Sequence, residues 1–229
     1  MSDELALMPQ ELLQPSKYGT ELAHKQVGGS SFLPRLQLLG ANTNLCKRGK
    51  VPIGSYAVLR GKDVVVHLLG EDVVVIIVSW RPKAIRFGQG GDKTKVLYNP
   101  ASPEFKKIEV DSTKPDSGCM YGPEYLVYIP TVNEFVTFHF NSATMRVASA
   151  GMLPNLGKAV TCRVEFIEKG KHSWHGPVIL NCSTPPPLPE DKEAFFATWK
   201  LEMEKFNNPK EEEQLEEATD TAATDSRAR

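Results

Sequence analysis

Ser55-Tyr-Ala-Val-Leu-Arg-Gly-Lys-Asp-Val-Val-Val-His-Leu-Leu-Gly-Glu-Asp-Val-Val-Val-Ile-Ile-Val-Ser-Trp80 is the stretch on which the reading of the fold turns. Three runs rich in Val, Ile, Leu and Tyr, from Ser55 to Arg60, Val64 to Leu69 and Asp72 to Trp80, are separated by Gly61-Lys62-Asp63 and Gly70-Glu71. Side chains of this kind fit a pleated surface, and short Gly-containing breaks between such runs predict strands joined by tight hairpins. Val73 to Val78 is apolar at every position. A half-solvated strand would alternate, so this one is expected to be central and covered on both faces.

Outward from this stretch the texture changes. Residues 1–30 hold only a short amphipathic piece, Leu5 to Leu13, interrupted by Pro9 and followed by Pro15, and end in Gly28-Gly29, so they read as an arm. Arg81 to Gly122 is rich in Gly, Pro, Ser, Lys and Asp and reads as an excursion in which Lys95 to Tyr98 and Phe105 to Val110 look strand-like. Glu124 to Pro130 and Phe135 to Phe140 then predict another hairpin across Thr131-Val-Asn133. Asn141-Ser142 can cap a short helix from Ala143 to about Leu153. Lys158 to Glu168 alternates, with Val160, Cys162, Val164 and Phe166 inward, and returns through His172 to Cys182 after Lys169-Gly-Lys171. Pro185-Pro-Pro-Leu-Pro189 is a stiff spacer. Glu190 to about residue 208 reads as an amphipathic helix with a stripe of Phe195, Phe196, Trp199, Met203 and Phe206, and 209–229 as an acidic, disordered tail. The expected organisation is an arm over 1–30, a mainly β domain over 31–184, the spacer 185–189, the helix 190–208 and the tail 209–229.

Composition excludes several classes. With 41% hydrophobic and 24% charged residues in 229, the chain is not wholly disordered. Its longest apolar run has six residues, against the roughly 20 that a membrane-spanning helix needs. The acidic start Met-Ser-Asp-Glu lacks the basic segment of a secretory signal, so a cytoplasmic location is expected. Cys46, Cys119, Cys162 and Cys182 are too scattered for a zinc ribbon or a disulfide framework and read as free thiols.

The net charge of −1 conceals two unlike parts. Residues 1–189 carry 21 Lys and Arg against 16 Asp and Glu, a net of +5, while 190–229 carry 6 against 12, a net of −6. Within Ser30 to Lys95 the balance is 11 basic to 4 acidic residues. A basic body with an acidic tail suits a polyanionic ligand.

Motifs for catalysis are missing: no phosphate-binding G-x-x-x-x-G-K-S/T, no G-x-S-x-G and no H-E-x-x-H. The carboxylates Asp92, Glu104, Glu109, Asp111 and Asp116 have no spacing that imposes a two-metal site. His172 and His175, three apart on one strand, would point to opposite faces. No enzyme activity, metal or cofactor is therefore expected. Arg35, Lys47, Arg48, Lys50, Arg60, Lys62, Arg81, Lys83, Arg86, Lys93 and Lys95 fall at turns and strand ends, with Trp80 and Phe87 interleaved and Trp174 further on. Single strands are held by phosphate neutralisation together with stacking on aromatic rings, so these residues form the candidate nucleic-acid-binding set. Taken singly, each ring suits a core and each lysine a solvated face; the hypothesis rests on their co-location.

The order strand, helix, strand, strand from Glu134 to Cys182, preceded by the pair before Trp80, is that of an OB-like five-stranded barrel with insertions and a short helix before its last hairpin. With the acidic tail, it resembles the single-stranded-DNA-binding proteins of bacteriophages. Ser31-Phe-Leu-Pro-Arg-Leu-Gln37, Gly49-Lys-Val-Pro-Ile-Gly54, Ser79-Trp-Arg-Pro-Lys-Ala84 and Ser173-Trp-His-Gly-Pro177 also look like segments of phage proteins. The resemblance implies a protein of the host-cell cytoplasm that coats replication or recombination intermediates without sequence preference. It also implies a tail, here Glu211, Glu212, Glu213, Glu216, Glu217 and Asp220, that occupies the groove when DNA is absent and recruits replication proteins. The terminus Asp225-Ser-Arg-Ala-Arg229 departs from the aromatic ending common in that family. The rival reading is a phage structural or assembly protein that binds no nucleic acid; a homo-oligomer is compatible with either.

Overall fold

The computed structural model describes residues 33–41, 43–60, 64–88, 94–114, 116–141 and 143–208. The arm, Lys62, Lys93 and the acidic tail, with the six carboxylates named above, lie outside the described residues. The chain is mainly β. Its elements run β1 (Arg35–Leu39), α1 (Asn44–Lys47), β2 (Ser55–Arg60), β3 (Val64–Gly70), β4 (Asp72–Arg86), β5 (Lys95–Leu97), α2 (Pro103–Asp111), β6 (Cys119–Ile129), β7 (Glu134–His139), α3 (Ala143–Ser149), β8 (Ala159–Lys169), β9 (His172–Asn181) and α4 (Lys192–Asn207).

The three opening runs form strands and β2 pairs with β3, but β3 and β4 share no ladder, so the second expected hairpin does not form, and neither does the five-stranded barrel. Nine strands make one mixed, unclosed sheet in the order β3-β2-β1-β7-β6-β4-β8-β9, with β5 also on β4. Every pairing is antiparallel except β1 with β7. The cause is the length of β4. It has 15 residues, enough to pair with β8 over Asp72–Ile76 and with β5 over Ala84–Arg86, while β6 lines Ile76–Arg86. Arg81-Pro82 reads as a strand stop but is not one. Among the described residues no strand lies between β8 and β5 on that flank of β4, and Pro is tolerated where no ladder bond is required.

The expected excursion is correspondingly smaller. Arg81 to Arg86 continues β4 and Cys119 to Gly122 begins β6. Phe105 to Val110, read as a strand, is helical. Ser102 caps α2 by accepting from the Phe105 N–H at 3.3 Å, Pro103 occupies the first turn, and Phe105 and Ile108, three apart, bury against Ala84. The helix after β7 ends at Ser149, before the short 3-10 turn Leu153–Asn155.

Two apolar layers result. The inner face collects Leu36, Tyr56, Val58, Val75, Ile77, Tyr125, Val127, Phe138, Phe140, Val160 and Cys162 from six strands. The outer face of β4, β6 and β7 presents Ile76, Val78, Leu126, Tyr128 and Phe135, on which α4 lays Phe195, Trp199 and Phe206. Phe195 stacks on Phe135 at a centroid distance of 5.7 Å, and Trp199 meets Phe135 edge-on at the same distance. Asp191 caps α4 by accepting from the Ala194 N–H at 2.9 Å. The helical stripe read from the sequence is thus the outer half of the hydrophobic core. The run Val73 to Val78 is covered on both faces as its composition requires.

Candidate nucleic-acid interface

The candidate cations separate into a buried group and an exposed one, and a bulge decides which is which. Ile77 and Trp80 are three residues apart yet both pack on the inner core. A regular strand would send them to opposite faces; the irregularity between Ile77 and Ser79 supplies the extra residue. Arg81 and Lys83 are thereby turned outward, Arg81 beneath the last turn of α4. Both are buried, at 5% and 2% exposure, as is Glu124 at 1%.

Arg81, Glu124 and His139 form one rung across β4, β6 and β7. The Glu124 carboxylate accepts from Arg81 Nε at 2.6 Å through one oxygen and from Lys83 Nζ at 2.8 Å through the other. Arg81 Nη1 also donates to the Phe206 carbonyl at the end of α4. Its guanidinium lies 3.9 Å from the Tyr98 ring centroid and 4.1 Å from that of Phe206. A cation on the last carbonyls of a helix complements the helix dipole, so Arg81 fastens α4 to the sheet. Burial alone would raise the Glu124 carboxyl, but the Arg81 and Lys83 charges outweigh it and hold it below the usual carboxylate range. Burial, together with the Lys83 charge, depresses the His139 imidazole to about 3, so it is neutral. Arg81 and Lys83 are therefore corrected from groove residues to structural ones.

Other expected contacts are also internal. Trp80 packs on the inner core, and Phe87 is buried with Ile85 and Val96. The Phe87 ring is closed to a base, and Trp80 is half-buried. Arg86 lies 3.6 Å from Asp111, Lys95 2.9 Å from Glu104 and Arg60 3.2 Å from Glu134. Arg35 is half-buried on β1, opposite Leu59 and Thr137.

The exposed group sits elsewhere. α1 is pinned by Leu45 against Leu39, Ala57 and Leu59, which leaves Lys47, Arg48 and Lys50 in solvent at its end. The chain then passes Ile53, 48% exposed, to Gly54. Gly54 has φ +79°, a conformation that favours glycine, and its backbone lies against the His175 imidazole so closely that a methyl there would stand 2.7 Å from Cδ2. This contact joins the loop before β2 to β9, two strands that share no ladder. His175 in turn meets Phe166 of β8, its cross-strand partner, at a ring-centroid distance of 5.1 Å. Trp174 pairs with Ile167, one position along, and is half-buried. The β8–β9 turn ends in exposed Lys169, Lys171 and His172.

The loop that follows Lys47, Arg48 and Lys50 thus reaches the strand that carries Trp174, while Arg81, Lys83 and Phe87 are buried elsewhere and Arg60, Arg86 and Lys95 lie beside carboxylates. Phe166, His175, Lys169 and Lys171 were not among the expected set. The alternation correctly gave Phe166 the inner face, but β8 outruns the core beyond Val164, and Phe166 is left 57% exposed. Among the described residues no group of three or more His, Cys, Asp or Glu is close enough to hold a metal, and no helix is long and apolar enough to cross a membrane. Comparison with known protein families, with characterised proteins and with solved structures finds no match.

Proposed function

We propose that the protein binds single-stranded DNA without sequence preference, acting as a binding module and not as an enzyme. The observation that carries this reading is the β8–β9 ribbon, with exposed lysines at its turn and aromatic rings along it, joined through His175 to Gly54 a few residues after the exposed Lys47-Arg48-Gly-Lys50 turn. Cations together with an aromatic-bearing surface suit a flexible polyanion whose bases are unpaired. The order β4, β6, β7, α3, β8, β9, with β8 returning to β4, supports an OB-like plan enlarged by four further strands. The acidic residues of 209–229 would compete with DNA for these cations at the high effective concentration of a tethered segment, and when displaced would be available to replication or recombination proteins.

Titration of the full chain with oligothymidylate across a salt series tests this. Affinity should fall with salt, and replacing Lys47, Arg48 and Lys50 together with Ala should flatten the log–log slope by roughly 0.7 for each phosphate no longer neutralised. Absence of salt-dependent binding by the wild type would reject the reading and favour a structural or assembly subunit.

A further inference from the structure

We propose that Phe166, backed by His175, is the platform on which an unpaired nucleobase stacks; this rests on the single-strand reading above and relocates the stacking from the tryptophans. A lone exposed ring is ordinary on a protein surface and would carry nothing by itself. Here three features coincide. Phe166 is 57% exposed on the inner face of the ribbon, beyond the end of the core. The imidazole beside it, at 5.1 Å and tilted by 55°, lies against the Gly54 backbone, which restricts its freedom before any ligand arrives. Exposed cations occur on both segments that the pair joins, Lys169 and Lys171 at the ribbon turn and Lys47, Arg48 and Lys50 ahead of Gly54 in the chain. A backbone neutralised by such cations would run past the ring, and every base has a face to offer it. A duplex has no such face free, so the platform selects unpaired strands. Trp199, on the buried face of α4, is excluded from this role by position, and Trp80 is half-buried against the inner core. Gly54 acts as a positioning residue. A side chain there would have to displace His175 as well as adopt an unfavourable backbone.

The experiment compares full-length wild type, Phe166→Ala, Phe166→Tyr and His175→Ala on two probes of equal length, an oligothymidylate and an abasic deoxyribose-phosphate oligomer. Stacking predicts that Phe166→Ala weakens oligothymidylate binding roughly 5- to 100-fold, as loss of one stacked base should, and leaves abasic binding unchanged. Phe166→Tyr should retain wild-type affinity, and His175→Ala should fall between. Matching thermal unfolding curves establish that the variants are folded. Equal affinity of Phe166→Ala and wild type for oligothymidylate, or an equal loss on both probes, would overturn the platform while leaving phosphate binding intact. Wild-type binding of oligothymidylate no tighter than of the abasic oligomer would do the same, and wild-type binding of neither would overturn the single-strand reading together with it.

Discussion

Replacing Glu124 with Gln should destabilise the protein far more than a change of one atom suggests. Each carboxylate oxygen is committed to a separate buried cation, Arg81 Nε at 2.6 Å and Lys83 Nζ at 2.8 Å. In Gln one of those positions becomes an NH2 donor, and flipping the amide only exchanges which cation it confronts. The variant keeps the volume and loses the charge that both buried cations share. Removing one member of a buried ion pair costs about 3–5 kcal/mol, a large share of the 5–15 kcal/mol that keeps a typical protein folded. For a chain of this size that corresponds to a melting temperature lower by roughly 6–20 °C. Urea unfolding followed by tryptophan emission should show a lower midpoint with an unchanged slope. Restoring apolar consistency with Arg81→Met, Lys83→Met and Glu124→Leu together should recover most of the loss, because well-packed apolar groups often replace a buried ionic cluster without penalty. A Glu124→Gln variant within about 1 kcal/mol of wild type would refute the reasoning, since it would mean that solvent already reaches the cluster.

Acid should weaken the fold through the same rung. His139 titrates at about 3 when folded and near 6.5 when unfolded, so between those values the unfolded chain holds one proton more. Its contribution is complete above pH 6.5 and declines at up to about 1.4 kcal/mol per pH unit on acidification. The lowered Glu124 acts in the same direction below its ordinary range. Midpoints measured from pH 7 to 5 should therefore fall for wild type and stay nearly level for His139→Gln; parallel curves would contradict this. Trp199→Ala, which empties the centre of the α4 contact, should cost about 3–5 kcal/mol by urea unfolding, and a loss below 1 kcal/mol would show that α4 is dispensable.

The strands were legible because their composition is unambiguous: Val73 to Val78 could only be covered on two faces, and Phe195, Trp199 and Phe206 could only be a helical stripe seeking a surface. What escaped the sequence was parity and length. Trp80-Arg81-Pro82-Lys83 looks like a basic strand end because charge and proline usually mark solvent, yet a one-residue bulge buries both cations on Glu124 and sets Arg81 beneath a helix over a hundred positions away. Nothing local signals that. Phe166 shows the converse, an inward residue by period whose strand extends beyond the core it should face. Lys47, Arg48 and Lys50 were readable because a tight polar turn is exposed wherever it is placed.

The outer aromatic face also sets an order of events during synthesis. Ile76, Val78, Leu126, Tyr128 and Phe135 are made well before the residues of α4 that cover them. At roughly 5–20 residues per second, the interval from Phe135 to Phe206 lasts seconds. Throughout it a nascent sheet can pair its strands while its outer apolar surface is bare and Glu124 and its cations are still wet. The last helix therefore converts a sticky intermediate into the finished protein, and a ribosome that stalls before Phe195 would leave a chain prone to aggregate.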